Sequence, residues 1–468
     1  MTWSFKDFAN NAALICEDGV VTYAALSAYG DEVYRHIGRR CLVFIICRNE
    51  PGSVAAYTSC IEHGVVPLLL DSGLDRELLK NLVDTYRPAF MLCPDDMAEL
   101  FGKAAASVLG WSIVPTGFEN EYELHPDLAL LLTTSGSTGS PKLVRQSYKN
   151  IAANTASIVE YLGLDESERA ITTLPMSYTY GLSIINTHLA VGASVILTGK
   201  TLMQRDFWTA FKQHGATSFG GVPYTYEMLN KLRFFRMELP SLRCMTQAGG
   251  KLSPELHRLF AKYAEDTGRR FIVMYGQTEA TARMSWLPPE RSLEKAGSMG
   301  IAIPGGRFSL IDPEGNEILS PDTVGELVYE GDNVTLGYAV CGDDLKKGDE
   351  RGGRLVTGDM AKRDSDGFYY VVGRKKRFLK LFGKRVNLDE CEQLLKARFP
   401  GAVCACSGAD DMLAVFVTDG EAAAEARSFM AEKLNINHAG IKVFRLEKMP
   451  VKESGKTDYR ALEAYFTK

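Results

Sequence analysis

Residues 41–47 read Cys41-Leu-Val-Phe-Ile-Ile-Cys47, and residues 65–70 read Val65-Val-Pro-Leu-Leu-Leu70, with a helix-compatible stretch over 52–63 between them. Short, unbroken apolar runs of this kind are the pattern of strands buried on both faces. A second helical pattern over 76–86 leads to Phe90-Met-Leu-Cys93. Strands alternating with helices of this length predict crossover connections and a mostly parallel sheet. The alternation recurs from Tyr148 to about Ile272.

From Ile301 the chain changes character. Shorter, turn-separated strands over 307–311, 325–329 and 367–372 predict an antiparallel or barrel-like subdomain. After Gly373-Arg374-Lys375-Lys376 a compact α+β tail is expected. Asn387 and Glu390 match a helix-capping pair, and Leu388, Cys391, Leu394 and Leu395 give one apolar face. Residues 413–417 read as a strand, 422–434 as a helix and 441–446 as a strand. The expected fold class is α/β: a large, multi-subdomain N-terminal domain over 1–374, with mostly parallel sheets plus the barrel-like part, and a small mobile α+β domain over 375–468.

A chain of 468 residues is too long for one compact core, and 46% hydrophobic residues suffice for several. A net charge of −5 gives no electrostatic reason to expect nucleic acid. The ten cysteines form no Cys-x-x-Cys pair and sit mostly among apolar neighbours, which suits reduced, buried thiols. The first residues lack the apolar core of a signal peptide, and no run approaches a membrane span. A soluble, cytoplasmic protein is expected.

The chemistry concentrates in Thr133-Thr-Ser-Gly-Ser-Thr-Gly-Ser-Pro-Lys142, between the apolar run 128–132 and an expected helix. Two glycines let backbone approach a ligand closely, hydroxyls and amides can wrap an anion, and Lys142 adds a point charge. A Walker loop is excluded by spacing, since Gly136 and Gly139 lie too close together and the lysine does not follow the second glycine directly. A Ser/Thr/Gly run also suits a solvated linker, so the reading depends on the rest of the chain.

Several motifs occur in an order that resembles the superfamily of AMP-forming acyl- and aryl-CoA synthetases, nonribosomal-peptide adenylation domains and firefly-type luciferases. They are Thr134–Lys142, Tyr275-Gly-Gln-Thr-Glu-Ala280, Thr357-Gly-Asp359, Gly373-Arg374, Gly383 and Ser454-Gly-Lys456. The resemblance implies that ATP activates a carboxylic acid as an acyl-adenylate, which a thiol then captures. Positioning and charge neutralisation would carry most of that catalysis.

On this resemblance Thr134, Ser135, Gly136, Ser137, Thr138, Gly139 and Lys142 hold the β- and γ-phosphates. Glu279 coordinates Mg²⁺, a hard cation suited to carboxylate oxygen, and Thr278 touches the α-phosphate. Tyr275 and Gly276 lie near adenine, with Gly249 and Gly250 passing close to the base. Asp359 accepts both ribose hydroxyls and Arg374 helps at the ribose or phosphate. Lys456 bridges the substrate carboxylate and the α-phosphate. Lys376 would be a hinge about which the small domain swings, exchanging Lys456 for the segment from Lys380 to Gly383 in thioester formation. The acceptor thiol would be CoA or the phosphopantetheine of an acyl carrier protein, and the substrate a small carboxylic acid.

The chain departs from the family pattern at Leu143 (usually glycine), Tyr148 (often histidine) and Arg377-Phe378 (usually an aspartate-containing run). In the substrate motif, Leu174-Pro-Met-Ser-Tyr-Thr-Tyr-Gly-Leu182, Tyr178 stands where many relatives have histidine. Amino-acid-activating members place an aspartate near Thr179 to pair with the α-ammonium, and this chain has no Asp or Glu between Ala170 and Arg205. An acid without an α-amino group is expected, with Tyr178, Tyr180 and Tyr224 as pocket walls. Two rivals stand beside a CoA ligase: a stand-alone adenylation enzyme loading a carrier protein, and a catalytically silent nucleotide-binding scaffold.

Overall fold

The computed structural model describes residues 3–119, 122–133, 142–381, 384–409, 411–434, 436–451 and 457–466, without the side chains of residues 376, 378, 380, 384 and 385. By compactness the chain forms two units. The first comprises residues 1–308 and 329–355, the second residues 309–328 and 356–468. This division concerns packing, whereas the boundary expected at residue 374 concerns movement.

Strand Leu42–Cys47 shows why the first unit folds as it does. Val43, Ile45 and Cys47 enter a core shared with helices Tyr23–Ile37 and Pro51–His63. Leu42, Phe44 and Ile46 enter a second core with Leu82 and Tyr86 of helix Arg76–Tyr86. Both faces are buried, so the sequence shows no polar alternation. The strand pairs in parallel with Val66–Asp71 and Phe90–Pro94 at the centre of an eight-stranded sheet among the described residues. Antiparallel strands finish both ends of that sheet.

A nine-stranded sheet among the described residues takes up the second stretch of alternation. Ala12–Cys16, Ser194–Ile196, Arg169–Ile171, Ser218–Gly221, Cys244–Gln247 and Arg270–Tyr275 run parallel, each paired with the next. Helices Tyr148–Leu162, Thr179–Ala190, Pro223–Lys231 and Pro254–Asp266 fall between its strands in sequence.

One expectation is corrected near residue 142. The element that follows is a strand, Leu143–Ser147, which pairs antiparallel with Leu128–Thr133 and leaves Thr133 opposite Leu143. The helix begins only at Tyr148, capped by Ser147 and Asn150 in a reciprocal box. The strand escapes notice because its Arg145 and Gln146 are wholly buried. Arg145 donates to the carbonyls of Tyr338, Lys347 and Gly348 and pairs with Glu350.

The turn-separated strands Gly306–Ile311, Gly325–Gly331, Arg354–Arg363 and Tyr369–Arg374 form a four-stranded sheet in that order. In the tail, helix Leu388–Arg398 is capped by Asn387, whose side chain accepts from the Asp389 N–H at 2.9 Å. The Asn387 amide donates to the Val372 carbonyl at 2.7 Å, tying this helix to strand Tyr369–Arg374. Strands Cys404–Ala409, Met412–Val417 and Ile441–Arg445 and helix Gly420–Leu434 bury a separate apolar core. Among the described residues no helix is long and apolar enough to cross a membrane.

Candidate active site

In the nine-stranded sheet Gly221 lies opposite Gln247, and Gln247 opposite Val273. The carboxyl ends of three parallel neighbours therefore fall in a row, the edge at which open α/β sheets bind ligands. Gly249-Gly250 follows the second of these strands, and Tyr275–Ala280 ends the third.

The Tyr275–Ala280 segment is folded tightly. A Cβ on Gly276 would lie 1.6 Å from the Ala282 carbonyl oxygen, so only glycine fits. A single 3-10 turn spans Thr278–Ala280, and Thr281 and Ala282 follow with φ of 58° and 115°. Non-glycine residues in this region cost about 1–3 kcal/mol each, and such strain collects at functional sites. Hydrogen bonds hold the turn in place. The backbone N–H of Thr335, its hydroxyl and the Arg351 guanidinium all donate to the Glu279 carbonyl, at 3.1, 3.0 and 3.0 Å.

Held this way, the Glu279 carboxylate accepts from the Tyr338 hydroxyl at 2.8 Å. Tyr338 lies in strand Gly337–Ala339, opposite Val144 of the strand that begins just after Lys142. Lys142 Nζ sits 3.5 Å from the centre of the Tyr338 ring, and Arg351 Cζ 4.7 Å from it. Burial and the nearby Glu279 charge push the Tyr338 phenol up to about 12, which keeps it a donor. Lys142 and Glu279 thus meet one phenol from two directions, and among the described residues neither forms an ion pair.

The donor set suits magnesium in one mode. Among the described residues no group of three His, Cys, Asp or Glu is placed to hold a metal. An ion at Glu279 would take phosphate oxygens and waters for its remaining ligands, the usual habit of Mg²⁺ at nucleotide sites.

The remaining expected residues divide clearly. Thr278 is half-buried, and its carbonyl accepts from Gln146 at 3.4 Å. Tyr275 is also half-buried and accepts from Gln277 at 3.1 Å. Tyr178 and Tyr180 stand edge-on, 6.4 Å apart, at the start of helix Thr179–Ala190. Tyr224 is 65% exposed and is not an enclosed wall. Gly249 has a φ of 78°, which favours glycine, and the Tyr178 phenol lies 2.6 Å from where a Cβ would sit.

In the second unit Asp359 and Arg374 are cross-strand partners, with Arg374 Nε 3.4 Å from the buried Asp359 carboxylate. The expected residues Thr134, Ser135, Gly136, Ser137, Thr138, Gly139, Gly383 and Lys456 lie outside the described residues, as do the side chains of Lys376 and Lys380. Tyr338, Thr335 and Arg351 went unread in the sequence. Their only local signal is the Gly337-Tyr338 pair, and the partner carboxylate is 59 residues away from it.

The AMP-binding enzyme family model matches residues 2–339. The chain is 31% identical to an indoleacetate–CoA ligase of Aromatoleum aromaticum over 77% of its length and 73% of the relative's. It is 27% identical to a 2-succinylbenzoate–CoA ligase of Bacillus subtilis over 95% and 93% of the two chains. Its fold matches o-succinylbenzoate CoA synthetase of Bacillus subtilis, solved with an acyl-adenylate intermediate, at a TM-score of 0.81 and 24% identity over 99% of this chain and 98% of that one. The chain therefore belongs to the AMP-binding enzyme family, the acyl-adenylate-forming superfamily.

Proposed function

We propose that this protein is an AMP-forming acid–CoA ligase acting on a carboxylic acid without an α-amino group. A carboxylate oxygen attacks the α-phosphorus of ATP, the bond to the β-phosphate oxygen breaks, and pyrophosphate leaves. The CoA sulfur then attacks the acyl carbon, its proton passing to solvent, and AMP departs.

The observation that carries this reading is the open arrangement of Lys142, Tyr338 and Glu279 at the carboxyl ends of the parallel strands. A cation and a carboxylate meet one phenol and, among the described residues, form no ion pair, as a metal-bound triphosphate requires. Lys142 and the loop 134–139 would bind the terminal phosphates, Thr278 the α-phosphate and Glu279 the magnesium, which when bound neutralises phosphate charge. Tyr275, Gly276, Gly249 and Gly250 would frame adenine, and Asp359 and Arg374 the ribose. Lys456 would serve adenylation, with Lys380 and Gly383 serving thiol transfer after movement about Lys376 at the boundary of 1–374 and 375–468. CoA is the preferred acceptor because the relatives named above are CoA ligases.

Arg283 supports the choice of acid. It is 2% exposed and sits with Cζ 4.4 Å from the Tyr180 ring centre, and no carboxylate pairs with it among the described residues. A buried cation behind the Tyr180 wall supplies no counter-charge for an α-ammonium group. All ten cysteines are free thiols, eight of them buried, which accords with a cytoplasmic location.

The test is pyrophosphate exchange over a carboxylic-acid panel, repeated with free CoA and with a holo-carrier protein. Exchange with a non-amino acid and thioester formed with free CoA are expected. Fastest exchange with an α-amino acid, or thioester only on the carrier, would overturn the respective half of the proposal. Lys456→Ala should abolish exchange while ATP affinity stays within about threefold; retained exchange would remove that residue's role.

A further inference from the structure

We infer that Tyr178 and Tyr180 close the acid pocket, that the substrate is a short carboxylic acid, and that Tyr180 sets the limit. This deepens the ligase reading and rests on it.

The acid must react beside the row of strand ends formed by Gly221, Gln247 and Val273, because Tyr275–Ala280 and Gly249-Gly250 leave the sheet there. Its tail then lies between those strand ends and the start of helix Thr179–Ala190. That space already holds two phenols. Tyr180 is 3% exposed, and its hydroxyl bonds the Thr246 carbonyl at 2.9 Å and the Thr246 hydroxyl at 2.8 Å. A Cβ on Gly220 would sit 2.9 Å from both the Tyr180 hydroxyl and Ile184 Cδ1. At Gly249 a Cβ would sit 2.6 Å from the Tyr178 hydroxyl and 3.0 Å from Val222 Cγ1. A glycine of one strand and another just past the end of its neighbour thus make room for tyrosine rings rather than for substrate.

Tyr180 is also fixed from behind. The guanidinium of Arg283 lies against its ring and is itself held by the Ser183 hydroxyl at 3.0 Å, Met274 Sδ at 2.7 Å and the Tyr161 hydroxyl at 3.3 Å. A longer acyl chain would have to displace a wholly buried phenol from its hydrogen bonds to Thr246 and leave a buried cation without its aromatic face. A short acid stops before the ring.

The experiment measures kcat/KM in pyrophosphate exchange for acetate, propionate, butyrate, hexanoate and octanoate. One methylene too many in a filled pocket costs roughly tenfold or more. The parent enzyme should therefore favour propionate over octanoate by at least about 100-fold. Tyr180→Ala should shift that ratio toward octanoate by about tenfold or more, while Tyr180→Phe, which keeps the ring, should leave it within about threefold. Tyr178→Ala, at a less buried position, should shift the ratio the same way and serves if Tyr180→Ala does not fold. A parent enzyme that favours octanoate, or alanine variants that bind ATP normally with an unmoved ratio, would overturn the limit and leave the ligase reading intact. No exchange with any acid of any class would remove the ligase reading and the limit with it.

Discussion

Among the described residues each unit holds a tyrosine whose hydroxyl donates to a glutamate and whose ring carries a basic side chain, and the two arrangements differ in whether that base and the glutamate pair. In the second unit Tyr459 donates to both oxygens of Glu392, at 2.9 and 3.0 Å, with Arg377 Cζ 4.0 Å from its ring centre. Arg377 also pairs directly with Glu392 at 2.6 Å and with Asp389 at 2.5 Å, and donates to the Cys406 carbonyl at 3.1 Å. In the first unit Tyr338 donates to Glu279 and carries Lys142, but Lys142 and Glu279 do not pair. A closed triad neutralises itself and fastens chain to chain. An open one keeps its cation and its carboxylate for a third party. A tyrosine, a glutamate and a basic side chain therefore mark a rivet in one place and a candidate site in the other.

The largest effect expected from breaking this comparison is on stability. Arg377→Met fills most of the volume but strands Glu392, whose side chain is only 10% exposed, beside Asp389. Removing one partner of a buried pair costs about 3–5 kcal/mol, because the remaining charge is left uncompensated. Denaturant unfolding of the purified variant measures it, and a loss below about 1 kcal/mol would show that the closed triad fastens nothing.

Next is Glu279→Gln, at the open triad. Exchange should fall about 10²–10³-fold, the usual loss when one preorganised charge is removed from a polar transition state. The melting curve should hardly move, since no ion pair is lost. A variant that unfolds easily yet exchanges normally while folded would reverse the assignment of the two triads.

Acid adds a third way to sharpen the comparison, through a buried histidine. His257 is 1% exposed, with Nε2 3.0 Å from the Ser292 hydroxyl and Nδ1 accepting from the Gly297 N–H at 3.1 Å. Burial, helped by the Arg258 charge, pulls its pKa from 6.5 down to about 4. The folded state thus binds fewer protons than the unfolded one between these values. The stability is fully present above pH 6.5 and lost as pH falls toward 4, by about 3 kcal/mol. Unfolding at pH 7 and pH 4.5, compared with His257→Gln, isolates it; equal pH slopes would exclude this residue as the cause.

The triads also show what a sequence does and does not disclose. Strand Leu42–Cys47 was legible because burial on both faces writes a continuous apolar run, and helix Arg76–Tyr86 because one face alternates with the other. The Tyr275–Ala280 segment was legible through its resemblance to a family motif, whose glycine the local backbone requires. Strand Leu143–Ser147 was not, since a wholly buried arginine and glutamine look like surface residues until Glu350 and the carbonyls of residues 338–348 are in place. Tyr338 and Arg351 were hidden for a related reason. Their relation to Glu279 depends on an antiparallel edge strand far along the chain, and no local period encodes such a pairing. Arg377 showed only as a departure from a pattern; its partners Glu392 and Tyr459 lie 15 and 82 residues away in sequence.

The smallest effect tests the open triad at its hinge point. Tyr338→Phe keeps the ring under Lys142 and Arg351 and removes only the hydroxyl that orients Glu279. A hydrogen bond to a charged group contributes about 1.5 kcal/mol at the lower end, which corresponds to roughly a tenfold loss in exchange. If Glu279 acts through magnesium, that loss should appear mainly as a higher Mg²⁺ requirement, with affinity for metal-free ATP unchanged, because a misoriented carboxylate is a poorer metal ligand. The ring contact can be separated from the hydroxyl with Tyr338→Leu, which should in addition weaken ATP binding by releasing Lys142 from its aromatic seat. Equal effects of the two substitutions on ATP binding would mean that the cation is placed by something other than this ring.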